Sequence, residues 1–302
     1  MSLINKMLRR VGFRLERVSR GFPPGHFYSP MPDLNEIAAK ANYIFDRSGR
    51  DVPAIMINED SQIQLVKSFS VLYDEMPFPD AKSEERRYFL DNEYFSYGDG
   101  ITLYSFLRHF SPKRVIEVGS GFSSAAMLDV NDLFLHKKVE FIFVEPFPDR
   151  LFGLLFEEDK KTVRVEVEPV QEIELSIFSS LEENDILFLD SSHVGKIHSD
   201  VLHILFYILP QLKKGVIIHF HDVLWPFEYP ENWLFEGGRA WNEAYFLRSF
   251  LQYNSAFEIL YFNSFMALHH ADFLREKMPK ILETPSSGIT PGNTSLWIRK
   301  TR

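Results

Sequence analysis

A chain of 302 residues with 45% apolar content is long enough for one generous α/β domain with an appendage, or for two small domains, around a sizeable core. A formal net charge of -9 and a pI near 5.6 argue against nucleic acid as the main partner, because neutralising phosphates takes concentrated Lys and Arg. The absence of cysteine excludes disulfides, thiolate zinc sites and cysteine nucleophiles, so any metal must take oxygen or imidazole ligands.

The N-terminal stretch lacks the apolar run of a signal peptide, and no segment approaches the roughly 20 apolar residues that span a bilayer, so a cytoplasmic location is expected. Residues 1–20 interleave Lys6, Arg9, Arg10, Arg14, Arg17 and Arg20 with Leu3, Ile4, Leu8, Val11, Phe13, Leu15 and Val18. Such a basic amphipathic segment suits contact with an anionic membrane surface, and equally a helix packed on its own domain or on a partner subunit.

Pro23, Pro24, Gly25, Pro30 and Pro32 interrupt the pattern, after which helical periodicity runs over 34–45 and 62–73. Residues 1–95 read as a mainly helical N-terminal extension and 96–302 as the principal domain. From Asp99 helices and strands alternate: helix 101–110, strand 114–118, helix 123–135, strands 140–144 and 162–167, strand 185–189, helix 196–209, strand 215–220, helix 240–253, and strands 257–262 and 295–299. Continuous apolar strands such as Ile186–Leu189 and Val216–Ile218 belong to a parallel sheet covered on both faces, so the fold class is α/β with a Rossmann-like doubly wound sheet.

In such a sheet ligands bind beyond the carboxyl ends of the strands. The first strand runs into Glu117-Val118-Gly119-Ser120-Gly121, where two glycines permit a tight turn and close approach of a ligand to a helix N-terminus. Position 124 is serine, so the third glycine of G-x-G-x-x-G is missing. Glu145 ends the next strand, 24 residues past Gly121, where a carboxylate can accept both ribose hydroxyls. Asp190-Ser191-Ser192-His193 and His221-Asp222 end two further strands, bringing ionisable groups to one edge.

Asp190, His221 and Asp222 offer ligands suited to magnesium or another divalent ion, and His193 suits proton transfer from a substrate hydroxyl. The alternative is that these aspartates cap helices and these histidines bond backbone at strand ends. The segment Trp225–Trp233 is rich in aromatics and proline; it reads either as a wall of a substrate pocket or as a loop pinned to the core.

On these residues the chain resembles class I S-adenosylmethionine-dependent methyltransferases from about Tyr97 onward. The matches are VIEVGSGFSS at 115–124, FVEP at 143–146, DILFLDSSH at 185–193 and GVIIHFHDV at 215–223. It is similar to the bacterial proteins grouped as methyltransferase family 24, often associated with sugar, polysaccharide or secondary-metabolite genes. The resemblance implies a seven-stranded, mostly parallel sheet that binds S-adenosylmethionine over Gly119, Ser120 and Gly121. It places Glu145 on the ribose, Glu117 near the methionine end, and the reacting methyl toward Asp190 and Asp222.

The order Asp190, then His221-Asp222, also resembles metal-dependent O-methyltransferases, with two departures. His221 stands where those enzymes have an oxygen ligand, and His193 stands at the spacing of the catechol-type lysine base. The implied reaction is O-methylation of a small hydroxylated, sugar-like acceptor, with Asp190 and His193 as catalytic groups, in an expected homo-oligomer. Two other classes remain: an oxidoreductase using NAD, and a non-catalytic Rossmann-like module acting in assembly.

Overall fold

The computed structural model describes residues 21–288 and 292–302; the basic segment 1–20 lies outside them. Seven strands form one sheet: β1 (Arg114–Val118), β2 (Glu140–Val144), β3 (Arg164–Glu166), β4 (Ile186–Leu189), β5 (Ile217–Phe220), β6 (Phe257–Phe262) and β7 (Leu296–Lys300). Their order is β3-β2-β1-β4-β5-β7-β6, parallel throughout except for β7, which runs antiparallel to both neighbours. The mostly parallel, doubly wound sheet expected from the apolar runs is therefore present, with helical segments ahead of it.

The parallel strands end level with one another. Val118 pairs with both Val144 and Leu189, and Leu189 pairs with Phe220. One residue further on, Gly119, Glu145, Asp190 and His221 therefore emerge along a single edge, at the point where the strand order reverses about β1 and β4.

Four helices support the sheet and this edge: α1 (Glu59–Tyr73), α2 (Tyr97–Phe110), α3 (Phe122–Phe134) and α4 (Glu243–Leu251). Helix α2 is buried on nearly all sides from Tyr97 to Leu107, and its Phe106 stacks on Trp297 of β7 at 3.9 Å. Helix α1 covers the edge strand: Gln62 Oε1 accepts from the Phe262 amide (2.8 Å), and Asn58 donates to the Ile259 carbonyl (3.2 Å). These side chains occupy edge groups that would otherwise invite another strand.

Boundaries shift where capping chemistry overrides periodicity. Strand β3 starts only at Arg164, because Asp159–Thr162 winds into a helical turn. The helix expected over 196–209 begins at Asp200, since the Ser199 hydroxyl accepts the Leu202 amide. The helix expected over 240–253 begins at Glu243, because the amides of Asn242 and Glu243 donate to the His193 carbonyl (3.0 and 3.1 Å).

Residues 47–230 and 241–302 form one compact unit, and residues 21–46 with 231–240 form another. The second carries the short helices Leu34–Ala39 and Glu231–Phe235. No helix among the described residues is long and apolar enough to cross a membrane.

Candidate active site

The first turn of the edge is built from beneath. Gly119 has φ +82°, and a Cβ there would fall 1.9 Å from the Asp190 carbonyl oxygen, so both conformation and space demand glycine. Glu117 is fully buried and accepts hydroxyl hydrogen bonds from Ser123 (2.5 Å) and Ser124, while Ser124 Oγ accepts the Gly121 amide (2.9 Å). Burial pushes the Glu117 carboxyl up to about 8, against the lowering effect of these hydroxyls. Glu117 therefore braces the turn from inside the protein; the ligand-facing position expected beside the methionine end is not where its side chain sits.

Glu145 is half-buried; its two oxygens accept the amides of Ser120 (3.0 Å) and Phe147 (2.8 Å). The carboxylate expected to meet the ribose is thus fixed to the glycine turn, with lone pairs left over. Phe147 is 83% exposed, an aromatic face next to Glu145 where a base could stack.

The second half of the edge centres on His193. Its Nε2 lies 3.3 Å from Asp190 Oδ1 and 3.7 Å from Asp222 Oδ2, and its Nδ1 lies 2.8 Å from Glu243 Oε2. Glu243 also accepts from Ser191 (3.0 Å), and the Trp241 ring lies 4.3 Å from the imidazole. His193 (φ +59°) and Asp222 (φ +55°) both adopt left-handed backbone, uncommon for non-glycine residues and often found at functional sites.

The electrostatics follow from this crowding. Burial works against a charged His193, but Asp190, Glu243 and Asp222 outweigh it and hold the imidazole well above its ordinary value. The Asp190 carboxylate is held low: burial opposes, and His221, His193 and Arg150 prevail. His221 is raised, its burial outweighed by Asp222, Asp190 and Asp99, whereas burial leaves His219 well below its usual value.

His221 bridges inward. Its Nε2 lies 3.5 Å from Asp222 Oδ1 and 3.3 Å from the Tyr94 carbonyl, and its Nδ1 lies 3.3 Å from Thr294 Oγ1. Thr294 in turn donates to Asp99, a buried carboxyl pushed up to about 6 by desolvation, which also gathers Ser295 and Asn263.

Asp190, His221 and Asp222 were expected to hold a divalent ion. The structure brings them to one edge, but Asp190 and Asp222 converge on the imidazole of His193, which stands where a metal would have to sit. Among the described residues no group of three or more His, Asp or Glu is placed to hold a metal ion. The donor set therefore does not fit a metal.

Periodicity hides several participants. Glu243 reads in sequence as an ordinary first-turn acid, and Trp241 as a loop aromatic outside the Trp225–Trp233 segment. Within that segment Trp225 and Phe227 pack on Phe262, and Tyr229 is 5% exposed, so these three pin the loop to the core.

The methyltransferase-domain family matches residues 116–223, the stretch from β1 through Asp222. An uncharacterised protein of Archaeoglobus fulgidus is 33% identical over 194 residues, covering 61% of this chain and 86% of that protein. Residues 116–223 therefore carry a methyltransferase domain. The fold of the chain is also similar to the methyltransferase PaMTH1 of Podospora anserina, solved with S-adenosylhomocysteine bound, at 16% identity and TM-score 0.42, covering 91% of this chain and 99% of that one. The O-methyltransferase TomG of Streptomyces achromogenes is 13% identical with TM-score 0.44, covering 89% and 96%. The family match spans the Gly119 turn, Glu145 and the acidic edge at Asp190 and Asp222.

Proposed function

We propose that this chain is an S-adenosylmethionine-dependent methyltransferase that transfers the methyl group to a hydroxyl of a small, sugar-like acceptor, with His193 taking the proton. The observation that carries the reading is the placement of His193 Nε2 between Asp190 and Asp222 while Glu243 holds Nδ1. When bound, the cofactor supplies an electrophilic methyl on a sulfonium. The acceptor oxygen forms the new bond to carbon, the carbon–sulfur bond breaks to give the neutral thioether, and the hydroxyl proton passes to unprotonated Nε2. The three carboxylates favour the imidazolium that forms, the electrostatic role that Asp plays behind a catalytic histidine elsewhere.

Trp241 beside His193 supports a ring-bearing acceptor, since its half-buried face suits stacking against a sugar or another flat apolar surface. Asp190, with a side chain 39% exposed, supplies a hydroxyl acceptor in the same place. Because His193 occupies the space between the carboxylates, the reading requires no divalent ion.

The test is a screen of hydroxylated acceptors with methyl-labelled S-adenosylmethionine, with mass detection of the product, run in buffer and in excess chelator. A methyl ether formed equally in both conditions is expected. A product on nitrogen or carbon, or none across sugars, polyols and phenols, overturns the acceptor class. Activity abolished by chelator and restored by magnesium overturns the metal-free reading.

A further inference from the structure

Arg150, which neither the family nor the edge residues account for, follows Glu145 on the helical segment Asp149–Leu154. Its guanidinium lies over the ring of Tyr94 at 4.0 Å, and Tyr94 stacks on Phe122, the first residue of α3, at 5.5 Å and 16°. The stem of Arg150 crosses the glycine turn: a Cβ on Gly121 would meet Arg150 Cδ at 3.3 Å. The lack of a side chain at 121 thus leaves the path along which the arginine reaches the turn.

Tyr94 is a fixed platform. Asn92 Oδ1 accepts the amides of Tyr94 (3.0 Å) and Phe95 (2.7 Å), Asn92 Nδ2 donates to the carbonyls of Phe89 and Phe95, and the Tyr94 carbonyl meets His221. Arg150 is exposed, and no carboxylate among the described residues forms an ion pair with it. A guanidinium held over a ring by its carbon keeps N–H donors for a planar, bidentate anion.

The cofactor has one anionic group, the α-carboxylate of its amino-acid tail. Its adenine and ribose are neutral, and its sulfonium and ammonium suit the acidic edge at Asp190 and Asp222. We infer that Arg150, carried on the Tyr94 platform, binds this carboxylate and makes the site selective for ligands that retain the amino-acid tail. The inference rests on the cofactor reading of the Gly119 turn. Arg150 also acts on Asp190 as a positive neighbour.

The experiment is titration calorimetry of the full chain and of Arg150→Met with two probes, S-adenosylhomocysteine and 5′-methylthioadenosine, which keeps the adenosine and sulfur but lacks the tail. The variant keeps the stem over Gly121, and its fold is checked by its melting temperature. The expected result is an affinity for S-adenosylhomocysteine about tenfold or more weaker in the variant, the loss of a charge-assisted pair, with 5′-methylthioadenosine bound equally by both proteins. Equal weakening of both probes, or none, overturns the role of Arg150 while leaving the cofactor reading standing. Failure of the unaltered chain to bind either probe overturns the cofactor reading and this inference together.

Discussion

Glu243 Oε2 and His193 Nδ1 are 2.8 Å apart, joining the first residue of α4 to the loop after β4 across 50 positions of sequence. The same loop is tied a second time to the start of the helix, the His193 carbonyl accepting the amides of Asn242 and Glu243 and the Asn242 side-chain Oδ1 accepting the Gly195 amide at 2.6 Å. Two independent links therefore fix the imidazole: one sets where the loop lies, the other which nitrogen faces Asp190 and Asp222.

Altering only the Glu243 side-chain link separates orientation from folding. Glu243→Gln is expected to lower turnover about tenfold or more with S-adenosylhomocysteine affinity unchanged, and His193→Ala to lower it by about 10²–10⁴, the usual contribution of a positioned base. Turnover is expected to rise with pH, because Asp190, Asp222 and Glu243 keep His193 protonated to higher pH than an ordinary imidazole and only the free base accepts a proton. In Glu243→Gln one of the three is gone, so the rising limb moves to lower pH. A limb that stays in place shows that a different group takes the proton.

The two glycines of the turn are not equivalent. Gly119→Ala forces a methyl to within 1.9 Å of the Asp190 carbonyl oxygen at a positive φ, so loss of S-adenosylhomocysteine binding by at least about tenfold is expected, together with destabilisation of about 2 kcal/mol or more. Gly121→Ala meets only the flexible stem of Arg150 and is expected to keep the fold at nearly full stability. Comparable melting temperatures for the two variants would show that the turn relaxes around both.

The sheet and its functional edge were readable because strand-end polar residues follow apolar runs of the right length, and parallel register then fixes where Gly119, Glu145, Asp190 and His221 emerge. Sequence spacing does not show which way a side chain turns there. Glu117 and Glu145 are both strand-associated acids, yet one points into the core and the other to the turn's open side. Glu243 and Arg150 escaped because their roles come from long-range packing: one contacts a histidine 50 residues away, the other lies over a tyrosine 56 positions before it. The metal expectation failed to find support for a related reason, since the composition of the donor set is right and the imidazole between its carboxylates is a matter of geometry.

Glu117 makes stability depend on pH in a way opposite to an ordinary surface acid. Its folded carboxyl sits at about 8, above the usual range near 4.5, so between those values the folded state holds a proton that the unfolded chain has released. Stability contributed by this group is therefore present at low pH and lost as pH rises through about 8. Glu117→Gln, which keeps a neutral partner for Ser123 and Ser124, is expected to flatten the fall in urea midpoint between pH 5 and 8. An unchanged slope would mean that the carboxyl ionises in place, stabilised by its hydroxyl partners.

Arg87 tests whether the segment ahead of α2 is part of the sheet's own core. The guanidinium, with 5% of its side chain exposed, meets Asp129 of α3 at 2.8 Å, Asp159 at 2.6 Å and Asp132 at 2.9 Å, and lies 4.4 Å from the Phe156 ring. Asp129 also accepts the amides of Arg87 and Tyr88, so the acid binds both the charge and the backbone of the preceding segment. Arg87→Met fills much of the same volume but leaves two nearly buried carboxylates without their counter-charge, and breaking such a pair on one side costs about 3–5 kcal/mol. A urea midpoint lowered accordingly at constant slope is expected. Adding Asp129→Asn to that variant should recover part of the loss, since the amide oxygen still accepts the two backbone amides without an unpaired charge. If the double variant is no more stable than the single, the cost lies in lost packing on Phe156 and the charge pairing contributes little.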